Sequence, residues 1–149
     1  DFYRENGIKL NHIGDLDALP PAIKKDITEA IEDTRDFKGM ILNLAINYGG
    51  RDEIIRGIKK IIKSGASEDQ ITEEFISKSL DMPQSPDVDL LIRTGGEKRL
   101  SNFLLWHIPY AEQIYIDTLW PDYTVEEFYA NIEEFQTRNR RFGAEKASK

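Results

Sequence analysis

The chain has 149 residues, a formal net charge of -7, 40% hydrophobic and 32% charged residues, and no cysteine. That length and balance fit one globular domain with a buried core and argue against disorder. Disulfides and thiolate metal sites are excluded, which is compatible with the cytoplasm; no apolar run approaches a membrane span; and an acidic chain is a poor partner for nucleic acid, whose binding rests on neutralising phosphates.

Ile8-Lys9-Leu10-Asn11-His12-Ile13 alternates apolar and polar residues, the period of a strand, and Gly14-Asp15 ends it. His12 falls on the polar phase and reads as a surface or edge histidine without a role. Pro20-Pro21 opens a helix, proline being tolerated in a first turn. Ile23, Ile27, Ala30, Ile31 and Thr34 form its apolar face, opposite Lys24, Lys25, Glu29, Glu32 and Asp33. Residues 39–46 are a nearly continuous apolar run, the pattern of a buried central strand in a parallel sheet. Asn47-Tyr48-Gly49-Gly50 turns the chain at the carboxyl end of that strand, where open α/β sheets bind ligands; a plain strand-to-helix turn reads the same.

Residues 51–63 predict a helix with Ile54, Ile55, Ile58, Ile61 and Ile62 as its apolar stripe. Arg56, Lys59, Lys60 and Lys63 face away, a basic face ordinarily solvated, with anionic lipid as the alternative. Ser64-Gly65 stops it. Thr72 caps a further helix, with Glu73 and Glu74 in its first turn, that ends near Leu80. Met82-Pro83-Gln84-Ser85-Pro86 is a rigid loop.

Val88-Asp89-Leu90-Leu91-Ile92 predicts a short apolar strand that breaks at Gly95-Gly96, where the backbone reaches conformations closed to other residues. Leu100 to Trp106 resumes as an apolar run suited to a helix, with Ser101 and Asn102 at its start. A strand, a glycine turn and a helix N-terminus make an anion site, because free N–H groups and the helix dipole point at the ligand. Arg93 and Arg99 flank the turn with planar forks that match phosphate oxygens. The combination predicts a diphosphate site; a surface connection with solvated arginines is the plainer alternative. His107-Ile108-Pro109 breaks the helix, residues 113–116 predict a strand, and Trp120-Pro121-Asp122 is a loop. Thr124-Val125-Glu126-Glu127 is a capping box. The helix it opens carries Phe128, Ile132, Phe135 and Phe142, ends at Gly143 and leaves a frayed tail. The fold class is therefore α/β, a mainly parallel central sheet flanked by helices, in one domain over residues 1–149.

The run from Asp89 to Trp106 closely resembles the signature of the cis-prenyltransferases, the undecaprenyl diphosphate synthase family. Ile13-Gly14-Asp15, Asn47-Tyr48-Gly49-Gly50-Arg51, Pro109-Tyr110-Ala111-Glu112, Leu119-Trp120-Pro121-Asp122 and Arg140-Arg141-Phe142-Gly143 extend the resemblance over nearly the whole chain. One departure stands out. The family's Asp-Gly-Asn-Gly-Arg-Trp loop, which holds the allylic diphosphate and the metal and carries the catalytic aspartate, does not occur here. The chain reads as the C-terminal portion of a synthase, without catalytic residues of its own and inactive alone.

The resemblance implies condensation of isopentenyl diphosphate with an allylic, farnesyl-type diphosphate to give a long polyprenyl diphosphate such as undecaprenyl diphosphate, the cell-wall lipid carrier. It implies that Arg93, Arg99, Leu100 and Ser101 hold the diphosphate of isopentenyl diphosphate, with Glu97 as a less specific member that orients an arginine or is simply solvated. It implies a tunnel for the growing chain lined by Met40, Leu42, Leu44, Ala45 and Asn47, with Met40 at its floor. Glu112 is implied as a ligand of Mg2+, and Arg141 as a residue that reaches the neighbouring subunit's site in a homodimer. Contact with a membrane would come through the lipid product. A non-catalytic dimer-partner subunit of the same family is the alternative, and an unrelated phosphate-binding module on an α/β scaffold a third.

Overall fold

The computed structural model describes residues 2–139. They fall in two compact units, divided between Ser85 and Pro86. The predicted parallel pairing is present, as two separate two-stranded sheets, one in each unit.

In the first unit a short helix α1 (Phe2–Glu5) precedes β1 (Lys9–Ile13), α2 (Pro21–Thr34), β2 (Ile41–Ala45), α3 (Gly50–Ser64) and α4 (Glu73–Ser79). Strands β1 and β2 run parallel, in register from Lys9↔Ile41 to Ile13↔Ala45. Leu10 and Ile13 of β1 are buried, as is Ile8 just before it. Thr34, at the end of α2, is buried too. Its hydroxyl accepts the Leu10 N–H at 3.0 Å and donates to the Ala30 carbonyl at 2.9 Å, so one side chain joins the helix to β1.

Two expectations for this unit need correction. Strand β2 is not buried: Met40, Ile41 and Ile46 are exposed, and among the described residues β2 pairs only with β1. The helix at 50–64 turns a different face inward. Glu53, Gly57 and Ile61 are buried, while Ile55, Ile58 and Ile62 are exposed, Ile62 at 72%. The cause is Gly57, where a Cβ would lie 2.7 Å from Leu80 Cδ2; α3 approaches the end of α4 along its slimmest face rather than its most apolar one. Arg56 is correspondingly not solvated but paired with Asp81 and Asp52.

The second unit contains β3 (Leu90–Arg93), β4 (Glu112–Tyr115) and α5 (Val125–Thr137). The strands are parallel, in register from Leu90↔Glu112 to Arg93↔Tyr115. Leu104, Ile108 and Ile114 are its buried apolar residues. The capping box at the start of α5 is formed, the Thr124 hydroxyl accepting the Glu127 N–H and the Glu127 carboxylate accepting the Thr124 N–H at 3.0 Å.

Here also two expectations fail. Residues 101–107 form successive turns and no helix, because Ser101, Asn102 and Leu104 have φ of 49°, 63° and 44°, which no right-handed helix accommodates. Helix α5 ends at Thr137, where Arg138 turns extended at ψ 141°, and does not run on to Gly143. Phe128 is exposed, and Asn131, donating to the Tyr123 hydroxyl at 2.8 Å, is the buried residue of that helix. Phe142 and Gly143 lie outside the described residues.

Candidate diphosphate-binding site

At the carboxyl end of β3 the chain passes through Thr94 into Gly95 and Gly96, with φ of 88° and 76°. Both glycine N–H groups are engaged. Gly95 donates to the Thr118 carbonyl and Gly96 to the Ile116 carbonyl, each at 2.9 Å. The turn is thus braced against the segment that follows β4, and Asp117 lies close enough that a Cβ on Gly96 would meet its carboxylate at 3.4 Å. The brace extends further, since the Thr118 hydroxyl donates to the Glu127 carboxylate at 2.7 Å. That bond and the Thr124 N–H hold the Glu127 carboxyl below its ordinary range.

The glycine turn therefore differs from the anion cradle expected of it. Its two N–H groups point at carbonyls, and no helix dipole follows. What remains for an anion is side chains. Arg93, Thr94, Arg99, Leu100 and Ser101 line a cavity of about 330 Å³ whose apolar wall is Leu91, Ile92 and Phe103. The Arg93 guanidinium is held in place by the Ser101 hydroxyl at 3.0 Å and by the Arg99 carbonyl. The Arg99 guanidinium pairs with Glu97, both exposed. A guanidinium has five N–H donors, so Arg93 keeps donors for a ligand while its position is fixed. The cavity presents two permanent cations, a hydroxyl and an apolar wall, an arrangement suited to an anion with a short hydrocarbon attached.

Of the residues singled out by sequence, the structure brings together Arg93, Arg99, Leu100, Ser101 and, through Arg99, Glu97. Thr94 and Phe103 line the same cavity and were not singled out by sequence; Phe103 sits in the signature run, but its helical reading hid its direction.

Glu112 is not part of this cluster. It heads β4 opposite Leu90, at the amino end of the strand pair, whereas Arg93 ends β3. Three residues of strand separate the two levels, about 10 Å at the usual rise. Strand alternation also turns Glu112 to the face of Leu90 and Ile92, and Arg93 to the other. The Glu112 carboxylate accepts from Arg138 Nη1 at 2.9 Å; Arg138 also donates to the Gln113 carbonyl at 3.2 Å and pairs with Glu134. Hydrogen bonds from Arg138 to Glu134 and Glu112 raise its guanidinium further above its ordinary value. Its spacing of four from Glu134 is the helical ion-pair signal that could have marked Arg138 in the sequence.

The residues expected to line a tunnel lie in the first unit and do not share one face. Leu42 and Leu44 point one way from β2. Ala45 points the other, with Asn43, whose side chain accepts from Asn11 across the sheet at 2.8 Å. Met40 precedes the strand and Asn47 follows it in the turn, at φ 53°. Arg141 lies outside the described residues.

Known proteins share this sequence and this fold. Residues 1–143 match the family model described as "Putative undecaprenyl diphosphate synthase". The isoprenyl transferase of Treponema denticola is 51% identical over 142 residues, which are 95% of this chain and 62% of that protein. The isoprenyl transferase of Aquifex pyrophilus is 48% identical over 137 residues, 92% of this chain and 58% of that protein. A solved structure of a probable undecaprenyl diphosphate synthase from Campylobacter jejuni superposes with a TM-score of 0.86 at 43% identity, covering 95% of this chain and 66% of that one. The chain thus spans about three fifths of the length of the relatives it matches. It belongs to the undecaprenyl diphosphate synthase family of prenyltransferases.

Proposed function

We propose that this chain carries the isopentenyl diphosphate half of a cis-prenyl elongation site. In the reaction an allylic, farnesyl-type diphosphate releases pyrophosphate. The terminal alkene of isopentenyl diphosphate bonds to the allylic carbon, and a proton leaves as the cis double bond forms. Repetition gives a long polyprenyl diphosphate such as undecaprenyl diphosphate. The observation that carries this reading is the convergence of Arg93, Arg99, Leu100 and Ser101 on one cavity in a chain of this family. The two guanidiniums and the Ser101 hydroxyl hold the diphosphate, the Leu100 backbone lies between them, and Leu91, Ile92 and Phe103 take the isopentenyl carbons.

On the same reading the Leu42–Leu44 face of β2, with Met40, Ala45 and Asn47 around it, receives the growing chain. The family match runs through both units, which supports taking them as parts of one catalytic domain. A homodimer, with Arg141 acting at the second copy's site, belongs to the same reading through the family match, which reaches residue 143. Magnesium is the expected cation of such a site, but the described residues do not fit it alone. No three His, Cys, Asp or Glu side chains cluster among them, and Glu112 is already paired with Arg138. No step of this reading runs through the metal. None of the described helices is long and apolar enough to cross a membrane; a cytoplasmic enzyme that meets the membrane through its lipid product is consistent with that. Turnover by the chain unaided is not expected.

The test is calorimetric titration of isopentenyl diphosphate into this chain and its Arg93→Ala and Arg99→Ala variants. Saturable binding that both variants lose by one to two orders of magnitude is expected, from charge-assisted hydrogen bonds of about 1.5–3 kcal/mol each. Binding that survives both substitutions overturns the assignment. If the parent does not bind, the titration is repeated on a chimera of this chain with the remainder of the Treponema denticola protein, where continued silence also overturns it.

A further inference from the structure

We propose that Asp81 is a positioning residue for elongation, closing a ring of hydrogen bonds that fixes the two turns at the carboxyl ends of β1 and β2. This rests on the elongation reading above. The ring lies wholly within the first unit. Asp81 Oδ2 accepts the Gly14 N–H at 2.9 Å. The next residue, Asp15, donates its N–H to the Asn47 carbonyl at 3.1 Å, and the Asn47 amide donates back to the Asp15 carbonyl at 2.9 Å. Tyr48 donates its hydroxyl to Glu53, and the other Glu53 oxygen accepts the Asp81 N–H at 3.1 Å. Asp81 thus holds the β1 turn by its side chain and the β2 turn, through Glu53 and Tyr48, by its backbone.

Several observations separate this from ordinary packing. Asp81 belongs to neither strand; it enters from the loop after α4. Its side chain is 8% exposed and both oxygens are bonded by Arg56, at 2.6 Å each, with Lys60 at 3.8 Å, so a charged group is kept inside by a bidentate counter-ion that Asp52 also contacts. What it fixes is the positive-φ backbone of the two turns, Gly14 at φ 123° and, through the ring, Asn47 at φ 53°, conformations that glycine and asparagine reach readily and that need bonds to select them. Asp15, Asn47, Tyr48 and Gly49 then line a cavity of about 390 Å³. This is the carboxyl-end position at which open parallel sheets place ligands, and no other side chain among the described residues engages the Gly14 N–H.

The experiment uses Asp81→Ala, Asp81→Asn and Arg56→Lys, in this chain and in the Treponema denticola chimera. Amide exchange at Gly14 and Asp15 should rise about 10- to 100-fold in Asp81→Ala, while Gly96 and Ile116 in the second unit do not change. Asp81→Asn keeps an acceptor and should fall between. In the chimera kcat should drop about tenfold or more with the KM for isopentenyl diphosphate within twofold, since the turns are displaced and the diphosphate cavity is not. Unchanged exchange at Gly14 and Asp15, or a KM that rises with kcat held, overturns the proposal. If Asp81→Ala does not fold, Asp81→Asn and Arg56→Lys decide by the same two readouts. A parent chimera without prenyl transfer refutes the elongation reading, while exchange still judges whether Asp81 fixes the turns.

Discussion

Gly14→Ala separates backbone strain from steric exclusion. A Cβ at Gly14 would lie 2.4 Å from the Ile46 carbonyl oxygen and 2.8 Å from that of Asn47, both backbone atoms, where real Cβ contacts stay beyond 3.0 Å. The strands must part by at least 0.6 Å (3.0 minus 2.4), and the bonds nearest the displacement are Gly14 to Asp81 and Asp15 to Asn47. Strain at φ 123° contributes about 1–3 kcal/mol. Loss of one charge-assisted and one neutral bond adds about 2–4 kcal/mol. The total, about 3–7 kcal/mol, rivals the whole stability of a small unit. Gly65→Ala is the control, because Gly65 also has positive φ, 72°, but nothing lies within 4 Å of its Cβ position. It should cost only the strain, about 1–2 kcal/mol. The assay is urea unfolding followed by far-UV circular dichroism, dominated by α2 and α3, with tryptophan fluorescence reading Trp106 and Trp120 of the second unit. A dichroism midpoint that collapses for Gly14→Ala and shifts by about 1 M for Gly65→Ala is expected at ordinary urea slopes. Equal shifts for the two would refute the argument that contact, not φ, decides at Gly14.

Ile61→Ala should cost about 2–4 kcal/mol and Ile62→Ala under about 0.5 kcal/mol in the same unfolding assay, because the first is 9% and the second 72% exposed. Burial pushes the Asp81 carboxyl up, but the Arg56 and Gly14 hydrogen bonds and the Arg56 and Lys60 charges outweigh it and hold it below 3.8. A carboxyl depressed in the folded state stabilises fully above its unfolded value and loses that contribution as pH falls through the folded one. The stability gap between wild type and Asp81→Asn should therefore be constant near neutrality and narrow below pH 3.8; a gap independent of acid would contradict it. Thr124→Ala should destabilise by about 1 kcal/mol through loss of the cap. Met40→Ala in the chimera should lengthen the polyprenyl product, and chromatography showing an unchanged distribution would remove Met40 from the tunnel floor.

What the sequence revealed and what it hid divide by the range of the forces involved. Strands β1 to β4, the proline start of α2 and the Thr124–Glu127 box follow from neighbours within a few residues, and each stands within a residue or two of its prediction. The inward face of α3 does not. Five isoleucines offer two faces, and Gly57 decides between them through a contact with Leu80, which is distant in sequence. A glycine inside a helix, four residues from both Glu53 and Ile61, was the legible clue. The helix expected after Gly95-Gly96 failed for a related reason. Phe103 to Trp106 has helical composition, but the left-handed residues Ser101, Asn102 and Leu104 fold it back so that Leu104 is buried and Phe103 faces the cavity. The site residues were legible because arginine, glycine and serine stand together in the chain; the Arg138–Glu112 pair was not, because its members lie 26 residues apart.

The engagement of both glycine N–H groups changes how the site must work. A cradle of backbone donors is rigid, and its attraction comes from fixed dipoles. On the proposed reading the donors are two arginines, flanking a turn that is itself braced to Thr118 and Ile116. Arginine side chains lose rotamer freedom on binding unless something already holds them. Arg93 is held, by Ser101 and the Arg99 carbonyl, neither of which carries a charge to compete with a phosphate. Arg99 is held by Glu97, which does. The two arginines therefore act differently. Arg93 is preorganised at no electrostatic cost, while Arg99 must exchange one anion for another. Glu97→Gln distinguishes them. It should tighten isopentenyl diphosphate binding a few-fold at low salt, an effect of the size seen for exposed ion pairs, and the gain should fade as salt screens the pair. Weaker binding in Glu97→Gln at every ionic strength would mean that Glu97 aims Arg99 rather than competing for it.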